Sequence, residues 1–200
     1  EGAMIEPLAV GLQAAEKAKI IPGETALVMG CGPIGLVIAL TALAGGCSKV
    51  FIADIVSEKL RMCENYENLI PIDLVNQNPA EIINKHTDNW GTNIIFEASG
   101  ATKAYDIIFD SICPAGKLVI VGNPMNPIPM DFATLLTKEI EIKTVFRYAH
   151  QYDRAISLLS SNKIDVKPMI TDTVAFDDSI KAFERAAKNL PEDVKIQIQL

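Results

Sequence analysis

Runs of consecutive apolar residues alternate with segments of helix-like apolar spacing along most of this chain. Runs rich in Val, Ile and Phe, such as TALVMG and NIIFEA, are typical of strands that are covered on both faces. The alternation indicates β-α-β units, and it predicts a doubly wound six-stranded parallel sheet with helices on both faces. The predicted strands are residues 25–30, 49–54, 69–73, 93–98, 117–122 and 140–146.

The rhythm of this pattern changes after residue 147. Before that point, helices are predicted at residues 7–19, 34–45, 57–66, 79–87, 102–112 and 132–138. Beyond it, two helices (153–162 and 178–188) and two strands (173–176 and 194–200) are predicted. We therefore divide the chain into an N-terminal helix that leads in from another lobe (1–19), a sheet domain (20–147) and a C-terminal segment of a different layer (148–200).

The charge and composition of the chain exclude several classes of function. The 18 Lys and Arg residues against 25 Asp and Glu give a net charge of -7, and the basic residues are scattered, so nucleic acid is not an expected partner. The longest apolar stretch, residues 36–44, is too short to span a membrane, and the start EGAMIEPL lacks the regions of a signal peptide. We therefore expect a cytoplasmic protein with no membrane partner.

Cysteine and histidine spacing gives no metal motif. The four cysteines form no C-x-x-C pair, which favours free thiols over a zinc knuckle or a disulfide framework. His86 and His150 have no acid or cysteine at ligand spacing and are expected on the surface. The chain begins with Glu1 rather than Met, so we expect a piece cut from a longer protein.

The segment ALVMGCGPIGLV carries three glycines with the spacing G-x-G-x-x-G between a predicted strand and a predicted helix. Gly30 permits a tight turn, Gly32 lets the backbone approach a pyrophosphate, and Gly35 lets the helix pack closely on the strand. Pro33 suits the first helical turn. This context favours a Rossmann dinucleotide-binding fold over the alternative, a plain structural turn.

Asp54 ends the second predicted strand, where an acid can accept hydrogen bonds from both ribose hydroxyls of adenosine. Because its charge disfavours the 2'-phosphate of NADP, the predicted cofactor is NAD. Lys59 either supports the same ribose or is solvated. Gly122, after the fifth predicted strand, either lets the backbone pass the nicotinamide or is a turn glycine.

Other stretches carry a more specific resemblance than the glycine loop does: EGAMIEPLAVGLQA, FIAD, LVIVGNP, KTVFRYAHQYDRAISLLSSNKIDVKPMIT and DDSIKAFERA. Together with the glycine loop they resemble the cofactor-binding half of the zinc-dependent medium-chain alcohol and polyol dehydrogenases, of the sorbitol and xylitol dehydrogenase type. The resemblance covers essentially all 200 residues. It implies that a Zn²⁺ polarises a polyol hydroxyl while a hydride passes to NAD, with xylitol oxidised to D-xylulose, or a substrate of the sorbitol or L-iditol type.

The resemblance also implies roles for individual residues. Arg147 and Tyr148 would bind substrate hydroxyls, or would only pack at a strand end. Glu6 would be a catalytic residue near zinc and substrate, binding the metal directly or through water; without the resemblance it is a helix-start carboxylate. The implied cofactor contacts are Gly30, Gly32, Pro33, Ile34, Gly35, Asp54, Lys59, Val121, Gly122, Asn123, Val145, Phe146 and Arg147.

Parts of the family pattern have no counterpart in these residues. The other zinc ligands, an early Cys and a neighbouring His-Glu pair, are missing, and Glu6 alone cannot hold a catalytic zinc, which needs about three protein ligands. We therefore expect the isolated chain to bind cofactor without oxidising a polyol. The resemblance implies that residues 148–200 are the C-terminal remnant of the catalytic lobe, to which the chain would return there. Their strands are therefore expected to lack partners or to be repositioned.

The apolar edge segment 140–146 predicts a homodimer or homotetramer, because an exposed strand edge favours pairing with a second copy. The sequence leaves an alternative function open, a non-enzymatic NAD-sensing module with the same fold. Arg147 and Tyr148 near the nicotinamide position favour the enzyme, since a sensor needs no polyol donors there. A methyltransferase is disfavoured by the glycine spacing.

Overall fold

The computed structural model describes residues 1–188 and 190–200, and its largest element is a six-stranded parallel sheet. The strand order is β3-β2-β1-β4-β5-β6, so the chain begins in the middle, builds to one edge, returns to lay β4 beside β1, and ends at the other edge. The predicted doubly wound sheet is confirmed. Its strands are β1 (Thr25–Met29), β2 (Lys49–Asp54), β3 (Leu69–Asp73), β4 (Thr92–Glu97), β5 (Ile112–Ile120) and β6 (Glu141–Thr144).

Helices cover both faces of this sheet. Ala26 and Val28 of β1 belong to a core cluster that contains the first two helices, whereas Leu27 and Met29 of the same strand belong to a second cluster with the fourth and fifth helices. This alternation within one strand explains why consecutive residues in the middle of the buried strands are apolar. The helices that precede or connect these strands are α1 (Ile5–Ala18), α2 (Pro33–Ala44), α3 (Ser57–Leu60), α4 (Pro79–His86), α5 (Ala104–Ser111) and α6 (Phe132–Thr137).

The fifth strand differs most from its prediction. It begins at Ile112 rather than at residue 117, because the buried Ile112 and Cys113 continue the sheet where the sequence resembles the end of a helix. The pairing of β4 with β5 is irregular between Thr92 and Ile94, and Ala115 has a φ of 56°. Between these two pairs β4 advances by two residues and β5 by five, and an irregularity of this kind leaves no periodic signal in the sequence. None of the described helices is long and apolar enough to cross a bilayer.

The C-terminal segment contains α7 (Tyr152–Ser160), β7 (Ile170–Ala175), α8 (Ser179–Ala187) and β8 (Lys195–Gln199). The strands β7 and β8 pair with each other in parallel, so the expectation that they lack partners is wrong. Arg185 of α8 connects them, since its guanidinium donates to Asp172 of β7 at 2.6 Å and to both carboxylate oxygens of Asp193, at 2.6 and 2.8 Å. The domain division at residues 19 and 147 stays a prediction.

Candidate functional site

A cavity of about 380 Å³ lies at the carboxyl ends of β1, β2 and β4. It adjoins the point where the strand order reverses, between β1 and β4, which is where open α/β sheets bind their ligands. The structure brings together here four residues predicted to bind a cofactor, namely Gly30, Gly32, Asp54 and Lys59.

Glycine occupies the three positions of the motif after β1 for different structural reasons. Gly30 has a φ of 104°, which side chains rarely adopt, and a Cβ atom at Gly35 would overlap the main-chain oxygen of Gly30. A Cβ at Gly32 would meet no atom within 4 Å. Gly32 is also the residue that precedes α2, a 12-residue helix with Pro33 at its start. The open space therefore lies at a helix N-terminus, where the partial positive charge favours a phosphate.

The Asp54 carboxylate is fixed by two main-chain groups. One oxygen accepts a hydrogen bond from the N–H of Cys31 at 2.7 Å and the other from the N–H of Val56 at 2.9 Å. Because each carboxylate oxygen can accept more than one hydrogen bond, both retain capacity for a ligand hydroxyl. The protein thus holds the carboxylate at the end of β2 and leaves both oxygens able to accept hydrogen bonds from a ligand.

Cys31, inside the glycine loop, is a buried thiol that donates to the main-chain oxygen of Lys59 at 3.3 Å. The neighbouring Cys63 side chain, and then burial, raise the pKa of Cys31 far above its usual range. The raised pKa favours the protonated thiol, which donates to the Lys59 carbonyl.

A second cavity, of about 420 Å³, adjoins the other side of the glycine loop. Glu6, in the first turn of α1, lines it together with Gly32, Pro33, Ile34 and Lys59, and residues 193–196 before and in β8 form the opposite wall. The sequence predicted a role for Glu6 but not its position beside the glycine loop.

Tyr148 lies near Glu6 in the structure. Its hydroxyl is 3.0 Å from that of Tyr152, and this hydrogen bond, then burial, then the Glu6 carboxylate raise the pKa of Tyr148 above its usual range. Two residues predicted to act on a substrate therefore come together, although 142 positions separate them in sequence.

The remaining predicted cofactor contacts lie at the carboxyl ends of β5 and β6 and line neither of these two cavities. Val145 is buried, whereas Phe146 is 85% exposed and has the Arg147 guanidinium 5.6 Å from its ring centroid. A Cβ at Gly122 would overlap the Glu97 carboxylate and the main-chain nitrogen of Gly100, so close packing is one reason for that glycine. The cofactor roles of these residues stay predictions.

Sequence reasoning missed part of the wall of the first cavity. The missed residues are Ile55, Val56, Ser99, Ala101 and Lys103. They follow β2 and β4 directly, so the rule that ligands bind beyond the carboxyl ends of parallel strands could have identified the two loops. Which side chains of those loops face the cavity depends on tertiary contacts and has no local signal.

The residues that the structure describes do not fit a catalytic zinc. In residues 1–188 and 190–200 no group of three or more His, Cys, Asp and Glu side chains could hold a metal ion. A catalytic zinc needs about three protein ligands, and Glu6 supplies one at most. The assignment of Glu6 as a metal ligand stays a prediction.

Comparison with known proteins decides the family. Residues 33–161, from the start of α2 to just beyond α7, match the family model described as zinc-binding dehydrogenase. The chain belongs to this family. Family membership confirms the resemblance predicted from the sequence. The matched residues include α2 and Asp54, whereas Gly30 and Gly32 of the first cavity directly precede them.

Proteins similar to this chain include a D-xylulose reductase of Morganella morganii, 46% identical over 94% of this chain and 56% of that protein. The sorbitol dehydrogenase of Ovis aries is 34% identical over 98% of this chain and 56% of that protein. The crystal structure of 2R,3R-butanediol dehydrogenase from Bacillus subtilis superimposes with a TM-score of 0.91 at 25% identity, covering 99% of this chain and 57% of that one. The chain therefore spans just over half the length of these relatives.

Proposed function

We propose that these residues are the NAD-binding part of a zinc-dependent polyol dehydrogenase. The observation that carries this proposal is the cavity at the sheet's switch point, with open space at Gly32 on one side and the Asp54 carboxylate on the other. Two parts of an adenosine diphosphate moiety can bind there. The pyrophosphate fits the N-terminus of α2, and the ribose diol fits the carboxylate.

Each residue of this cavity has a separate role in the proposed complex. The absence of a side chain at Gly32 lets the pyrophosphate reach the main-chain N–H groups of α2. Asp54 accepts the ribose hydroxyls while the N–H groups of Cys31 and Val56 keep its carboxylate in place. Lys59 lines both cavities, and its proposed role is to support the ribose. Bound NAD accepts a hydride from the substrate carbon.

The substrate of the whole protein is proposed to be a polyol, with xylitol and D-xylulose as the first pair and the sorbitol or L-iditol type as the second. The names of the similar D-xylulose reductase and sorbitol dehydrogenase support this class. The proximity of Glu6 and Tyr148 supports it as well, because a carboxylate and a phenol can bind adjacent hydroxyls. Arg147 would add a cationic donor beside Tyr148.

Zinc belongs to the proposal for the whole protein and not to these 200 residues, since the described side chains provide no three-ligand set. We therefore expect this chain to bind cofactor and not to oxidise a polyol by itself. Assembly through β6 into a dimer or tetramer is also proposed, because β6 is an edge strand on which Ile142 is 39% exposed. A cytoplasmic location completes the proposal.

A non-enzymatic NAD sensor is the alternative. The similarity to named dehydrogenases over almost the whole chain favours the enzyme, as does the proximity of Tyr148 to Glu6, which lines the cavity beside the glycine loop. A sensor has no need for hydroxyl-binding groups at this position.

The test is a calorimetric titration of the chain with NAD and with NADP. We expect NAD to bind and NADP to bind at least about tenfold more weakly, because its 2'-phosphate would face the Asp54 carboxylate. Equal affinity for the two cofactors would contradict the role of Asp54, and no NAD binding would contradict the proposal. Adding xylitol and Zn²⁺ to the NAD complex should produce no NADH; turnover would refute the expected inactivity of the isolated chain.

A further inference from the structure

Glu97, the last residue of β4, is a completely buried carboxylate. One of its oxygens accepts three hydrogen bonds, from the N–H of Ser99 at 2.8 Å, the hydroxyl of Ser99 at 2.5 Å and the N–H of Gly100 at 3.0 Å. A buried carboxylate is costly, and a well-packed apolar residue is often at least as good for stability. The acid at this position therefore has a reason other than filling the core.

The same residue also holds the segment after β5. Its main-chain oxygen accepts the N–H groups of Val121 and Gly122, both at 2.8 Å. Its second carboxylate oxygen faces Gly122, where a Cβ would overlap it, and no described side chain or main-chain group donates to that oxygen. Glu97 thus contacts two loops that are separate in sequence.

These two loops lie on different parts of the proposed cofactor site. Ser99 lines the cavity beside Asp54, which is the adenosine side of the proposal, whereas residues 121–123 are the predicted nicotinamide side. The loops also touch each other, because a Cβ at Gly100 would come within 2.9 Å of the main-chain oxygen of Asn123. A dinucleotide bound along the carboxyl edge of the sheet would have to meet both loops at once.

We propose that Glu97 is a positioning residue for the dinucleotide, which fixes the Ser99–Gly100 turn and the segment 121–123 at one separation. This inference rests on the proposed function. It predicts that the carboxylate matters more for a ligand that spans both loops, such as NAD, than for a ligand that fills only the adenosine side, such as AMP. A role in stability alone predicts no difference between the two ligands.

The experiment compares the unaltered chain with Glu97→Gln and Glu97→Ala by calorimetric titration with AMP and NAD, alongside urea unfolding of each variant. In Glu97→Gln the amide oxygen can still accept the three hydrogen bonds of the turn, but an NH₂ group replaces the oxygen that faces Gly122. We expect AMP affinity to stay within about twofold and NAD affinity to fall about fivefold or more. Glu97→Ala removes both carboxylate oxygens but keeps the main-chain oxygen that accepts the N–H groups of Val121 and Gly122. It should weaken both ligands by about tenfold or more, because the Ser99–Gly100 turn loses its acceptor.

Thr92→Val is the matched control, because Thr92 is buried at the opposite end of the same strand and its hydroxyl donates to the main-chain oxygen of Ser111 at 3.2 Å. It should lower the urea midpoint and leave both affinities unchanged. Equal losses for AMP and NAD in Glu97→Gln, unchanged NAD affinity in that variant, or the same NAD loss in Thr92→Val would overturn the inference. Failure of the unaltered chain to bind NAD would overturn the proposed function, and this inference with it.

Discussion

The six-stranded sheet and the C-terminal segment of this chain differ in how completely they bury their apolar residues. Four of the five residues of β1 are buried, and β2 shows the same pattern, whereas no residue of β7 or β8 is fully buried. Helix α8 exposes Ile180 by 73% and Phe183 by 70%. The sheet therefore completes a core within these residues, while β7 and β8 pair with each other, bury no residue fully and contact the main core cluster through Ile170.

The comparison predicts that equal truncations in the two regions have unequal effects. Phe96 in β4 is completely buried, so Phe96→Ala should lower the free energy of unfolding by about 3–5 kcal/mol, through lost burial and the cavity left behind. Phe183→Ala, at an exposed position, should change it by less than about 0.5 kcal/mol. Urea unfolding measures both. A large loss in Phe183→Ala would mean that α8 is covered in solution.

The same contrast explains what the sequence could predict. Strands covered on both faces show as apolar runs, which is why β1, β2 and β4 could be predicted. The partner of a half-exposed strand such as β8 is set by tertiary contacts, because an alternating pattern fits any partner with a matching face. The pairing of β7 with β8 was therefore missed.

The residues of the candidate site also differ in whether the sequence alone could predict them. The glycine loop and Asp54 follow a local motif whose spacing is set by one strand, one turn and one helix, so the sequence suffices to place them. Ser99 and Lys103 reach the same cavity only through the crossing of the chain to β4. The sequence also contained a signal for Glu97, because it is the single acid at the end of the apolar run NIIFE. An acid that is buried at such a position rarely lacks a partner.

The second prediction concerns the contribution of Asp54, at the carboxyl end of β2, to the free energy of NAD binding. Asp54→Ala should weaken NAD binding by about 1.5–3 kcal/mol, the range for a hydrogen bond to a charged group. Asp178→Ala in the C-terminal segment removes the same charge from an exposed pair with Lys181 and should leave the affinity unchanged. Calorimetry with NAD distinguishes the local contact from a change in net charge. Equal losses in the two variants would contradict a direct contact at Asp54.

The third prediction separates packing from binding within the glycine loop. Gly35→Ala should lower the free energy of unfolding by about 1–3 kcal/mol, because the added Cβ would overlap the oxygen of Gly30 and force α2 away from β1. Gly32→Ala places its Cβ in open space and should leave stability within about 0.5 kcal/mol, while it weakens NAD binding by obstructing the pyrophosphate. Urea unfolding and NAD titration of both variants test this reversal. Destabilisation by Gly32→Ala without a loss of affinity would contradict it.

The smallest effect is expected where the C-terminal segment joins the rest of the chain. Glu16 of α1 accepts a hydrogen bond from the Gln151 side chain at 2.9 Å and pairs with Arg154 of α7. These two contacts, Gln151 first, hold the pKa of Glu16 below its usual range. A carboxylate with a lowered folded pKa contributes stability above its unfolded pKa of about 4.3 and loses it as the pH falls through the folded value. Acid should therefore loosen α7 from α1.

The magnitude is limited because Glu16 and Arg154 are about half exposed, at 52% and 54%, so solvent screening should keep the effect below about 0.5 kcal/mol. Hydrogen-exchange protection of the α7 amides, corrected for the intrinsic pH dependence of exchange, should fall as the pH drops below the unfolded pKa of about 4.3, while protection of β1 falls less. Glu16→Gln should abolish the pH dependence in α7 because the amide does not titrate. If the α7 amides of this variant lose as much protection in acid as those of the unaltered chain, a carboxylate other than Glu16 links α7 to α1.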